Sequence, residues 1–174
     1  THVIRMKNKL LPLFDSLSYL HKNAEHAIVP APRFQTDFTK VLAFLNCYTG
    51  SEGTFNSYRR EAERLLQWCW LINDTTLKEL KREAIEKYIK FCQNPPNSWI
   101  GLKKVPRFIE KEGHRQPNPE WRPFVAGLKK MDFKQGKKPS VEQFSLSQGA
   151  VQEILAILST LFNFLISEEY LYSN

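Results

Sequence analysis

Apolar side chains recur at three- and four-residue spacing along most of the chain, which is the pattern of helices that bury one face. Turn-forming residues separate these stretches, most clearly at 49–53 and 74–76. The pattern predicts helices over residues 8–21, 36–45, 54–72, 84–92 and 147–167.

Individual residues indicate how several of these helices begin. Pro12 fits the first turn of the helix over 8–21, because proline lacks the amide hydrogen that later turns need. Thr36 and Asp37 are predicted to cap the second helix, and Thr54 is predicted to cap the third. The last helix is apolar on more than one side, so we expect it to be largely buried.

Residues 94–146 interrupt the helical pattern and hold seven of the ten prolines. Short helices are expected there at about 103–112 and 120–130. Because no stretch alternates with a period of two, the predicted fold class is all-α. We expect a four- to five-helix bundle with a long basic, proline-rich insertion before the last helix. Residues 1–35 would form an N-terminal helix and linker, and residues 36–174 the main domain.

The net charge of +7 is distributed unevenly. Residues 94–140 hold eleven lysines and arginines against four carboxylates, whereas residues 141–174 hold four carboxylates and no basic residue. A localised basic region is typical of proteins that bind a polyanion. A solubilising loop is the alternative.

The first candidate DNA contacts lie on the polar face of the helix over 54–72. A helix start presents backbone N–H groups to phosphate, and arginines further along reach phosphate or a guanine edge. The alternative is a solvated face with ordinary pairs such as Arg59–Glu63. The candidate residues are Thr54, Asn56, Ser57, Arg59, Arg60 and Arg64.

The second set of candidate DNA contacts comes from the insertion, where lysines are suited to backbone phosphates. These candidates are Lys103, Lys104, Arg107, Lys129, Lys130, Lys134, Lys137 and Lys138. Aromatic side chains are interleaved with them, namely Trp99, Phe108, Trp121, Phe124 and Phe133. These rings either stack on bases or fasten the insertion to the core.

Other chemistry has little support in the sequence. Three widely spaced cysteines beside apolar residues indicate buried thiols in a reducing cytoplasm. The four histidines show no metal-ligand spacing, and the chain has no glycine-rich phosphate loop. We expect no cofactor and no metal. No apolar run approaches the length of a membrane span, so we expect no membrane partner.

Three segments resemble the N-terminal core-binding domain of tyrosine recombinases, the phage integrase family. Residues 54–68 read T-x-x-x-Y-R-R-E-x-x-R-L-L-x-W, and residues 76–88 read T-L-K-E-L-x-x-x-x-I-x-x-Y. Residues 154–174 read I-L-A-I-L-S-T-L-F-N-F-L-I-S-E-E-Y-L-Y-S-N. The likeness covers about residues 36–93 and 145–174.

The resemblance implies a SAM-like helical domain that forms half of a C-shaped clamp around duplex DNA. Its second and fourth helices would lie toward the major groove. The 54–64 face would contact DNA together with Ser147, Gln148 and Gln152 at the start of the last helix. The family often carries a basic residue on that helix, but none follows Lys138 here. The implied partners are duplex DNA and further recombinase protomers in a synaptic tetramer.

The family's chemistry uses a tyrosine nucleophile activated by arginines, a lysine and histidines. No H-x-x-R sequence occurs here, and we assign no nucleophilic role to Tyr170 or Tyr172. We therefore expect no catalytic residues in this stretch and a catalytic domain beyond Asn174 in the parent recombinase. The alternatives are a helical protein-interaction module with a basic partner-binding loop, and an enzyme with a dispersed site.

Overall fold

The computed structural model describes residues 10–127 and 130–172, with only the backbone of Lys130. Its helices are α1 (Asn23–His26), α2 (Gln35–Asn46), α3 (Glu52–Gln67), α4 (Arg82–Gln93), α5 (Lys130–Lys134) and α6 (Gln148–Ser167). Its strands are β1 (Ile100–Gly101), β2 (Phe108–Lys111), β3 (His114–Pro117) and β4 (Phe124–Val125). Short 3-10 turns cover Leu17–Lys22, Pro32–Phe34, Leu77–Glu79, Asn97–Trp99 and Val141–Gln143.

The long helices follow the apolar stripes. α4 and α6 begin and end within two residues of the predicted bounds. The predicted cap of α3 is wrong, because the Ser51 hydroxyl caps this helix and accepts a hydrogen bond from Thr54 N at 3.4 Å. α3 continues into a π-helical turn at Trp68–Ile72, where Asn73 N donates to the Trp68 carbonyl at 3.0 Å.

Asp37 lies inside α2 and does not cap it. The helix begins at Gln35, directly after a 3-10 turn, so the predicted cap at Thr36 and Asp37 is wrong. The Asp37 carboxylate is fully buried and accepts three hydrogen bonds. The donors are Trp70 Nε1 at 3.0 Å, Leu77 N at 2.9 Å and the Tyr170 hydroxyl at 2.5 Å. One carboxylate therefore joins α2, the end of α3, the turn before α4 and the segment after α6.

The first predicted helix is wrong over residues 10–16 and is present only as a 3-10 turn from Leu17 onward. Residues 10–16 are not helical, and the first helical turn begins at Leu17; positions 8 and 9 lie outside the described residues. Leu13 and Phe14 are buried, and Phe14 stacks on Phe38 with ring centroids 5.2 Å apart. The backbone N–H groups of Leu13 and Phe14 donate to the Glu63 carboxylate, so a tertiary contact replaces the helical hydrogen bonds.

Strands occupy the places where short helices were predicted at 103–112 and in the described part of 120–130. β2 and β3 form an antiparallel hairpin closed by Glu112 and Gly113, whose positive φ angles of 55° and 77° suit a two-residue hairpin turn. β1 and β4 form a short parallel pair. The all-α prediction therefore holds only in coarser form, as a mostly helical fold with a small amount of sheet.

One hydrophobic core joins the N-terminal segment, the long helices and the insertion. α3 lies at its centre, in contact with α2 on one side and α6 on another. Trp99 and Phe124 bring the insertion into the same core. Its fully buried aromatic rings include Phe14, Phe38, Phe44, Phe55, Tyr88 and Phe124.

α6 buries only one face, so the expectation of a largely buried helix is wrong. Ile154, Leu158 and Leu161 are buried against the core, whereas Leu155 is 43% exposed. By length and composition alone, α6 is the one described helix that is apolar enough to cross a membrane. Its buried stripe packs on α2 and α3.

Candidate nucleic-acid interface

A concave basic surface lies between the N-terminal half of α3 and the insertion. This arginine cleft has a volume of about 520 Å³. It brings together residues that the sequence places in two separate candidate sets. Its basic lining residues are Arg59, Arg60, Arg64, Lys103, Lys104, Arg107, Arg115 and Arg122.

Glu63 connects the insertion to the N-terminal segment beneath the cleft. Its carboxylate is fully buried and accepts hydrogen bonds from Leu13 N at 2.7 Å and Phe14 N at 3.1 Å. It also forms an ion pair with Arg107, whose guanidinium lies 5.0 Å from the Trp121 ring centroid. The alternative of a surface pair between Arg59 and Glu63 is therefore wrong, because Glu63 is buried and pairs with Arg107.

Glu61 orients two arginines at the cleft wall. Arg60 Nε lies 3.2 Å from one of its oxygens, and Arg64 Nη1 lies 3.1 Å from the other. Arg64 Nε also donates to the Pro123 carbonyl at 2.9 Å. Arg60 Nη2 approaches Glu153 at 3.7 Å, which ties the cleft to the start of α6. Two candidate arginines are thus fixed in place instead of extending freely into solvent.

Asp15 holds the hairpin against the N-terminal segment. Both of its oxygens accept hydrogen bonds from Arg115 at 2.6 Å, and His26 Nε2 lies 2.7 Å from one of them. Burial acts to raise the pKa of Asp15, but hydrogen bonds from Arg115, the Ser16 backbone and His26 outweigh it and lower that pKa. Asp15 therefore remains a carboxylate that fixes Arg115 at the cleft edge.

The surroundings of Arg59 disfavour its positive charge. Its Nη1 donates to the Asp15 backbone carbonyl at 3.1 Å, while its buried Nε has no hydrogen-bond partner among the described residues. Burial and the nearby charge of Arg107 lower the pKa of Arg59 to about 10. The guanidinium is still charged at neutral pH, and an anion bound in the cleft would stabilise this charge.

The cleft holds more positive charge than its neighbours neutralise. Asp15, Glu61, Glu63 and Glu153 pair with four of the eight basic side chains. Within residues 10–127 and 130–172, no carboxylate lies within ion-pairing distance of the other four, Arg59, Lys103, Lys104 and Arg122. Four uncompensated cations in one concavity attract a polyanion.

A second concavity, the lysine groove, adjoins the cleft and has a volume of about 700 Å³. Lys103 and Lys104 line both concavities. The predicted contacts Lys134, Lys137 and Lys138 also line the groove. Lys129 and the side chain of Lys130 lie outside the described residues.

The remaining predicted contacts line neither concavity, except Asn56 in the arginine cleft. Thr54 is exposed and Ser57 is half-buried on α3. Ser147 is the N-cap of α6, and its hydroxyl accepts a hydrogen bond from Ala150 N at 3.1 Å. Gln148 and Gln152 are exposed near that helix start.

The insertion aromatics divide into two groups. Trp99, Phe108, Trp121 and Phe124 are buried. Trp99 and Phe124 join the insertion to the hydrophobic core, whereas Phe108 packs on His26 and Trp121 on the Arg107 guanidinium. Phe133 is 74% exposed and lines the lysine groove. Of these five rings, Phe133 is thus the one that is exposed to solvent.

Sequence reasoning missed the carboxylates that organise the cleft. It counts Arg115 and Arg122 in the basic insertion but does not place them among the candidate contacts. One signal was available for Glu63. Trp68 and Trp70 point to burial on more than one side of the same helix, so an acidic residue one or two turns earlier also faces protein. The partners of Asp15 are distant in sequence and carry no local signal.

Tyr170 and two of the three cysteines are buried, which is typical of residues with a structural role. Burial and the hydrogen bond to Asp37 raise the pKa of Tyr170, so this phenol stays protonated as a donor. Cys69 and Cys92 are buried thiols, but Cys47 is exposed, which corrects the expectation for that residue. No group of three or more potential ligands for a metal occurs within the part of the chain that the structure describes.

Comparisons with protein-family models, with curated proteins and with solved structures found no match for this chain.

Proposed function

We propose that this chain is a DNA-binding domain that holds duplex DNA against the arginine cleft and the adjoining lysine groove. The observation that carries the proposal is the convergence of eight basic side chains on one cleft, of which four are paired with carboxylates among the described residues. Fixed arginines and exposed lysines together suit phosphate contacts along a nucleic-acid backbone.

We further propose that the domain serves a tyrosine recombinase, in which it clamps the recombination site while a separate catalytic domain exchanges strands. The support is the sequence likeness of residues 54–68, 76–88 and 154–174, together with the mostly helical fold. The reading frame beyond Asn174 tests this part. An Arg, an H-x-x-R and a late Tyr are expected there, and their joint absence would overturn it.

The DNA-binding test uses the double variant Lys103→Ala/Lys104→Ala. Both side chains are exposed and line both concavities, so their loss removes charge without opening the core. Binding to a duplex of about 20 base pairs is measured by fluorescence anisotropy over a salt series. The slope of log affinity against log salt is expected to fall by about 1.8, or about 0.9 for each phosphate contact removed.

The matched control is Lys87→Ala/Lys90→Ala, which removes two exposed lysines from α4 outside both concavities. That variant should lose affinity only modestly and keep its salt slope. Equal slopes for the two double variants would show that the basic surface is misplaced. A protein that binds no duplex even at low salt would favour the protein-interaction alternative.

A further inference from the structure

The lysine groove combines positive charge with exposed apolar side chains. Its walls carry Lys103, Lys104, Lys134, Lys137 and Lys138. No carboxylate lines it within the described ranges, although Asp132 beside it lies 3.4 Å from Lys137 Nζ. Duplex phosphates would pair with the lysines, but they would make no favourable contact with the apolar side chains of the groove.

Phe133 is the unusual member of that apolar part. Its ring is 74% exposed, whereas Trp99, Phe108, Trp121 and Phe124 are buried and Phe144 is half-buried. Leu102 and Val125 are also exposed and line the same groove, and Met131 nearby is 71% exposed. An exposed ring among several apolar neighbours indicates a binding surface better than an isolated exposed side chain does.

We infer that the lysine groove binds an unstacked nucleobase, with the Phe133 ring against the base and the lysines on flanking phosphates. The inference rests on the proposed nucleic-acid partner and goes beyond a duplex clamp. A planar ring bordered by cations fits the flat apolar face and the anionic backbone of a single strand. In an intact duplex that base face is covered by its neighbours, so the site selects unpaired or distorted positions.

The two concavities are continuous through Lys103 and Lys104. A backbone held by the arginine cleft therefore reaches the groove without a gap in positive charge. The cleft supplies affinity for any duplex, and Phe133 adds affinity wherever a base is free to leave the stack.

The test measures the binding of the full chain to three probes by anisotropy. They are an intact duplex, the same duplex with an unpaired central tract, and oligothymidylate of about 12 nucleotides. Phe133→Ala is expected to weaken binding to the two probes with unpaired bases about 10-fold more than it weakens binding to the intact duplex. Phe133→Leu keeps an apolar side chain without a ring and should behave as Phe133→Ala does.

Phe133→Trp should retain the preference and report contact directly. The four native tryptophans are buried, so the fluorescence difference from wild type isolates the new indole. Oligothymidylate should quench this difference signal through stacking. Leu155→Ala, an exposed apolar side chain on α6, is the matched control and should change nothing.

Three outcomes distinguish the two proposals. Failure to bind any of the three probes overturns the proposed function and this inference together. Duplex binding with equal affinities for wild type and Phe133→Ala on unpaired probes overturns the inference alone. Oligoglutamate binding that depends on Phe133 as strongly as oligothymidylate binding does would also overturn it, in favour of an acidic protein partner.

Discussion

Asp37 and Glu63 are both fully buried carboxylates that accept hydrogen bonds from residues distant in the chain, but their partners differ in charge. The donors to Asp37 are an indole, a backbone amide and a phenol, all neutral. Glu63 also pairs with Arg107, which lines an open basic cleft.

The difference separates a purely structural use of a buried carboxylate from one that also prepares a surface. Neutral donors satisfy Asp37 and leave no charged group directed at solvent. Around the arginine cleft, carboxylates fix the directions of arginines whose total charge they do not cancel. The Asp37 arrangement joins secondary-structure elements. The arrangement around the arginine cleft fixes positive charges at a surface that a polyanion can reach.

The largest expected effect comes from Asp37→Ala, which leaves three buried donors without an acceptor. The free energy of unfolding should fall by about 3–5 kcal/mol, because each unsatisfied buried group costs ~1–3 kcal/mol. Denaturant unfolding measures the loss. DNA affinity of the remaining folded protein, measured well below its Tm, should be unchanged. A loss under about 1 kcal/mol would show that these bonds are not needed.

Glu63→Gln should change stability and binding in opposite directions. The amide oxygen still accepts from Leu13 or Phe14, but Arg107 loses its counter-charge, so stability should fall by about 3 kcal/mol. The extra positive charge should tighten duplex binding roughly 3-fold at low salt. Asp37→Asn, the same chemical change at the other carboxylate, should destabilise the protein without tightening binding. Tighter binding in both variants would remove the distinction between the two sites.

Asp15→Asn should give a smaller, pH-dependent effect of about 2 kcal/mol at pH 7, where the wild-type carboxylate holds Arg115 and His26. The pKa of Asp15 is lower in the folded state than in the unfolded chain, so its stabilisation is complete above about pH 4. It is lost as pH falls through the folded-state value. Unfolding measured from pH 7 to pH 2 should therefore show the two proteins converging in acid. A constant difference would assign the effect to packing.

The helices that are determined by a local pattern of apolar residues could be predicted from the sequence. α4 and α6 each have a continuous apolar stripe and a clear boundary, Asn94 after one and Ser147 before the other. Residues 10–16 have similar spacing but are not helical, because their backbone donors bind Glu63, about fifty positions away. The hairpin of β2 and β3 is short, and its strands lack the alternation of apolar and polar residues that predicts a strand.

The candidate site was predictable in composition but not in arrangement. The sequence shows that Arg59, Arg64 and Lys103 belong to basic stretches, but it does not show that they share one cleft. The alternative interpretation of this face places Glu63 in a surface pair, because its spacing from Arg59 is that of helical neighbours. Burial on a second face of α3 reverses that assignment, and only the packing of distant segments creates that burial.

The hydrogen bonds that close the structure join residues far apart along the chain. Arg115 and Asp15 are 100 positions apart, and Tyr170 and Asp37 are 133 apart. Helical proteins usually fold fast because most of their contacts are local, and loop closure over such distances slows folding. During synthesis, α2 to α4 can form early. Asp37 can accept the hydrogen bond from the Tyr170 hydroxyl only after residue 170 has been synthesised. Vectorial synthesis thus places completion of the Asp37 site after every described helix and strand has been made.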